Sequence, residues 1–151
     1  GDGRREANAA TVLRTVLDHG PVARRSIATL SGLSPAAVSR QCTDLVRLGL
    51  VRELPELVES SGVGRPQIPV DLNTGESEGP VAGGVHIGVP GSTFGLLDLR
   101  GRLLARRTFP HEGIAPGELS GRVLAGLRTF LDDTVRGRRL LGVGAALGGW
   151  V

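Results

Sequence analysis

Lysine is absent, so all 18 basic side chains are arginine. Their positive charge is delocalised over planar groups that suit bidentate bonding to phosphates and base edges. Methionine is absent too, from which we expect that Gly1 is not the translational start and that the N-terminus has been processed, tagged or trimmed. Cys42 is the single cysteine, which excludes an intrachain disulfide or a cysteine-rich zinc site within one chain. Its place on the apolar face of a predicted helix makes it a core residue. Aromatic residues are only 3% of the chain, so the cores must be built from Leu, Val, Ile and Ala. No run is long and apolar enough to span a bilayer and no secretory leader is recognisable; the expectation is a cytoplasmic protein with no membrane partner. Strong excess charge is also missing: the net charge is +3, with nine arginines against eight acidic residues over 1–75 and nine against seven over 76–151. A nucleic-acid partner would have to be held by the placement of a few arginines, helped by dimer symmetry.

What is present is a helical pattern over the first third. A first helix is expected from Asn8, as its cap, to His19, with Val12, Leu13, Val16 and Leu17 inward and Gly20-Pro21 as its end. A second runs from about Arg24 to Ser31, with Ile27, Leu30 and Leu33 inward, and Gly32 supplies the turn to the next. In the third, Ser34 is the N-cap and Pro35 takes the first helical position, where a missing N–H is harmless. Val38, Cys42 and Leu45 share one face; Ala36, Ser39, Arg40 and Thr43 share the other, and Gly49 suits the helix stop. That outer face is small, polar and basic, which fits a major groove: Arg40 can grip a guanine edge, and Ser39 or Thr43 a base or a phosphate. Arg24, Arg25 and Ser34 are placed against the phosphate backbone. Residues 50–54 and 67–72 read as a strand pair whose loop holds Ser60, Ser61 and Gly62 and ends in Gly64-Arg65-Pro66, a tripeptide able to lay Arg65 into a narrow minor groove. The order is that of a winged helix-turn-helix, and the alternative is a three-helix scaffold for protein contacts.

Residues 73–80 are polar, rich in turn formers and expected to be a linker. Beyond them lie strands at Val81–Ile87, Thr93–Leu99 and Leu103–Phe109, with Arg100-Gly101 turning the last pair. A helix follows at Pro116–Val135, with Leu119, Val123, Leu124, Leu127, Phe130 and Leu131 inward. A fourth strand, Leu140–Leu147, is apolar throughout, as for a sheet interior, and is expected to return parallel to the first strand of this half. His86 is expected to be packed or hydrogen-bonded locally. The fold class is therefore α+β: a winged helix-turn-helix over 1–72, a linker over 73–80, and a βββαβ lobe over 81–151.

GPVARRSIATLSGLSPAAVSRQCTDLVRLGLV, GRPQIPVDLN, GVHIGVPGSTFGLLDLRGRLLA and GVGAALGG together resemble the N-terminal part of a repressor of the ROK family (repressors, uncharacterised frames and sugar kinases). The resemblance covers nearly the whole chain. It implies that residues 81–151 are the truncated first part of an actin-like, ribonuclease-H-like α/β domain. It further implies a transcriptional repressor of sugar-related genes that binds a double-stranded operator as a dimer or higher homo-oligomer. A sugar-type effector would bind in the rest of the intact protein. The sugar-contacting residues and structural zinc that the resemblance implies lie beyond Val151, so no cofactor is expected here. The chain is expected to be a fragment of a larger protein. Kinases of the family carry an Asp-x-Gly-x-Thr phosphate pattern in the first hairpin. Here His86 stands for the Asp, Pro90 for the Thr, and Gly88 is kept. Histidine supplies no carboxylate and proline no hydroxyl or N–H, so an enzyme is not expected, the alternative being a sugar kinase with a fused DNA-binding head.

Overall fold

A computed structural model describes residues 1–58, 64–75 and 77–148. They form two compact units, Gly1–Asn73 and Thr74–Val151. Among the described residues no helix is long and apolar enough to cross a membrane.

The first unit contains α1 (Asp2–His19), β1 (Val22–Ala23), α2 (Arg24–Ser31), α3 (Pro35–Arg47), β2 (Val51–Glu53) and β3 (Pro69–Leu72). β3 lies between β1 and β2 and is antiparallel to both. The three helices pack pairwise, and α1 and α3 also meet the sheet. Val12, Val16, Ile27, Val38, Cys42, Val51 and Val70 are at most 2% exposed, an aliphatic core as the composition demands. α1 starts six residues before the expected cap: Asn8 lies inside the helix, and Asp2 occupies the first turn, where its charge opposes the helix dipole favourably. Arg, Glu and Ala are good helix formers, so they extend the helix although residues 2–7 bury nothing. Leu17 and Leu30, expected inside, are 37% and 53% exposed. In α1, Thr15 takes an inward position instead, its hydroxyl donating to the Thr11 carbonyl at 2.9 Å. The short α2 buries Ile27 alone.

Two glycines end helices in the left-handed conformation, Gly32 at φ 72° and Gly49 at φ 74°. Gly20 acts differently: its backbone is extended, and a Cβ there would collide with the Asp71 carboxylate and the Val16 carbonyl. The wing strands are shorter than expected. One more bond, from Leu54 N–H to the Pro69 carbonyl at 2.9 Å, extends the ladder before a 3₁₀ turn at Pro55–Leu57. Gln67 and Ile68 lie outside it.

The second unit is a four-stranded sheet ordered β6-β5-β4-β7, with α4 on one face. The elements are β4 (Val81–Ile87), β5 (Gly91–Leu97), β6 (Leu103–Pro110), α4 (Pro116–Val135) and β7 (Leu140–Leu147). β4–β5 and β5–β6 are antiparallel, and β4–β7 is parallel. Val81, Val85, Phe94, Leu96, Val123, Leu127 and Phe130 form the core. Leu124 is 64% exposed rather than inward. It follows Val123 by one helical step, and the buried arc runs through Val123, Leu127 and Phe130. Gly126 lets that arc approach, since a Cβ there would lie 3.2 Å from the Phe94 ring.

β5 starts and stops two residues early. Asp98 heads the following turn, its carboxylate accepting the Arg100 and Arg102 N–H groups at 2.8 and 2.9 Å. β7 was expected inside the sheet; among the described residues it is an edge strand with every residue exposed. Its apolar run does not disclose how many neighbours it has, and α4 covers β4, β5 and β6 instead. The stretch before β4 is held to this unit by Arg138, whose guanidinium donates to the Gly79 carbonyl at 2.7 Å and the Gly75 carbonyl at 3.1 Å.

Candidate nucleic-acid interface

α3 is built from its cap outward. Ser34 Oγ accepts the Ala37 N–H at 3.2 Å, and Pro35 takes the first turn. The helix then buries Ala37, Val38, Gln41, Cys42 and Leu45. This fixes its rotation and leaves Ala36, Ser39, Arg40 and Thr43 exposed on the opposite side. Arg40 forms no ion pair among the described residues, so its guanidinium is available to an incoming acceptor. The Thr43 hydroxyl donates back to the Ser39 carbonyl at 2.9 Å and keeps lone pairs to offer as an acceptor.

Arg24, Arg25 and Pro35 come together around a cleft of about 320 Å³, and Ala28, Thr29 and Gln67 complete the lining. Thr29 and Gln67 escape sequence reasoning. Thr29 stands one helical turn after Arg25, and Gln67 directly follows Gly64-Arg65-Pro66, which are the signals that could have found them. Arg24 is committed within the unit: it reaches Glu53 Oε1 at 2.6 Å. Arg25 is exposed. Gly64, Arg65 and Pro66 are exposed and outside regular structure; Ser60, Ser61 and Gly62 lie outside the described residues. Beneath the interface, burial pushes the Cys42 thiol up from its ordinary range; the nearby Arg24 charge opposes that rise and Glu53 adds to it.

In the second unit His86 is exposed near the end of β4. Its ring lies beside Gly88 and Gly148, where an added Cβ would come within 3.2 and 3.3 Å of it. Gly88 N–H donates to the Gly91 carbonyl at 3.1 Å, closing the hairpin that contains Pro90. Ser92, fully buried, bonds His111 Nε2 at 2.7 Å. Among the described residues no group of three His, Cys, Asp or Glu side chains is placed to hold a metal.

No protein-family profile matches the chain. A transcriptional regulator of Mycobacterium tuberculosis is 38% identical over 149 residues, which is 97% of this chain and 32% of that protein. The DNA-binding transcriptional dual regulator NagC of Escherichia coli is 30% identical over 148 residues, 97% of this chain and 35% of that protein. The chain thus spans about a third of the length of the curated relatives it matches. A crystal structure of a ROK family transcriptional regulator, a homologue of the E. coli MLC protein, superposes with a TM-score of 0.71 at 21% identity, over 97% of this chain and 36% of that one. The chain thus shares the fold of that structure, and its sequence likeness to named transcriptional regulators runs through both units.

Proposed function

We propose that the first unit is the reading head of a sequence-specific transcriptional repressor. One observation carries this: α3 hides its apolar face and presents Ala36, Ser39, Arg40 and Thr43 to solvent. Small side chains let a helix approach base edges, and Arg40 supplies a bidentate donor for guanine. The cleft that Arg25 lines receives the phosphate backbone beside Ser34 and Pro35, and Arg65, between Gly64 and Pro66, enters the minor groove. Two heads in a homodimer read the halves of a pseudo-palindromic operator. In the whole protein a sugar-type effector shifts the balance between states of different operator affinity. Relatives named N-acetylglucosamine repressor and putative xylose repressor support sugar-related target genes.

Phosphoryl transfer has no support in the β4–β5 hairpin, where His86 and Pro90 replace the carboxylate and hydroxyl of the kinase pattern. An ATP-binding measurement on the whole protein checks this: saturable binding would restore the kinase reading.

Selecting bound fragments from genomic DNA identifies the operator. Arg40→Ala is then expected to weaken operator binding by about 1–3 kcal/mol and relax specificity at one base pair. Unchanged affinity and specificity would remove Arg40 from the interface.

A further inference from the structure

The two arginines that open α2 differ in what holds them. Arg24 Nη2 donates to Glu53 Oε1 at 2.6 Å, and the two side chains are 28% and 43% exposed. Arg24 also lies beside the buried Cys42 thiol. Arg25 is exposed and has no ion pair among the described residues. Both line one cleft. A phosphate entering it meets one cation already neutralised and another that is not. To engage Arg24 it must displace a charge-assisted bond, and the Glu53 carboxylate repels it meanwhile.

We infer that Glu53 is a positioning residue of the DNA interface. It keeps Arg24 clamped at the base of the wing, so Arg24 fixes α2 against β2 and Arg25 carries the phosphate contact. This rests on the DNA-reading function proposed above. Thr29 and Gln67 border the same cleft and offer uncharged bonds to the phosphate that Arg25 holds.

The test is the salt dependence of affinity for a mixed-sequence duplex, measured by fluorescence anisotropy. It compares the unaltered chain with Arg24→Gln, Arg25→Gln, Glu53→Gln and the double variant R24Q/E53Q, and records the thermal midpoint of each. Each phosphate neutralised contributes about 0.9 to the slope of log K against log salt. R25Q is expected to reduce the slope by about that amount and R24Q to leave it unchanged. E53Q should steepen it by a similar amount as the released Arg24 finds a phosphate, and R24Q/E53Q should return to the unaltered value. R24Q and E53Q should each lower the midpoint as much as the double variant does, because all three break the same contact; R25Q should not lower it.

A slope reduced by R24Q as much as by R25Q overturns the inference. So does an E53Q gain that survives beside R24Q, since Glu53 would then act by direct repulsion of DNA. Midpoints that add instead of coinciding sink the clamp alone. An unaltered chain with no salt-dependent duplex binding sinks the DNA-reading function and this inference together.

Discussion

Cys42 shows how one residue's chemistry is exposed by what surrounds it in composition. Its side chain is fully buried, and burial raises its thiol above its ordinary value. The chain has neither lysine nor tyrosine, so no other side chain titrates in the alkaline range below arginine. With the folded-state value raised, the unfolded chain loses the thiol proton first. The stabilisation is therefore complete below about pH 8.5 and declines as pH rises through the unfolded and then the folded value. Denaturant unfolding of the first unit at increasing pH should show this decline. Cys42→Ala should remove it, at a loss of about 1 kcal/mol or more at neutral pH from the cavity left behind. An alkaline decline that persists in Cys42→Ala would assign it elsewhere. The same burial keeps the thiol out of reach of solution electrophiles while the unit is folded.

The joint between α1 and the small sheet depends on a residue with no side chain. Gly20 N–H donates to the Val16 carbonyl at 2.8 Å, and Asp71 of β3 passes over its Cα. Gly20→Ala must push the backbone or Asp71 aside, and a destabilisation of about 1–3 kcal/mol is expected. Chemical denaturation measures it; a variant as stable as the original would mean that β3 can withdraw freely. At this scale, periodicity and caps disclosed α2, α4, β4 and β7, and Ser34-Pro35 disclosed the start of α3. What stayed hidden was decided by partners distant in sequence. Asn8 resembled a cap because nothing local shows that residues 2–7 continue the helix without burying anything. Leu30 and Leu124 fitted apolar stripes that were drawn too wide for the surfaces they meet. The outward face of α3 was legible because its inward face is strongly apolar. The pairing of Arg24 was not, because Glu53 lies 29 positions away and only the return of β2 toward α2 brings it near.

Over the whole chain, charge is almost balanced, at +3, and the two units share the arginines evenly. A molecule of that kind has little long-range field to draw in a polyanion, so the duplex-DNA affinity proposed above must come from cations placed at the contact. Arg25, Arg40 and Arg65 are all exposed, whereas Arg24 is neutralised by Glu53, Arg47 by Asp44 and Arg14 by Asp18. The three cations proposed at the contact, Arg25, Arg40 and Arg65, at about 0.9 each give a slope of log K against log salt near −3 for one reading head. Two heads on a palindromic operator should double it. Anisotropy titrations on a half-site and a full site, over a series of salt concentrations, measure both. A half-site slope of about −6 would show that Arg4, Arg5 or arginines of the second unit join the contact; a slope near zero would show that the exposed face of α3 is turned toward something other than nucleic acid. Between those limits lies a reading head that finds its operator through placement instead of attraction, and its specificity should then survive salt concentrations that abolish binding to bulk DNA.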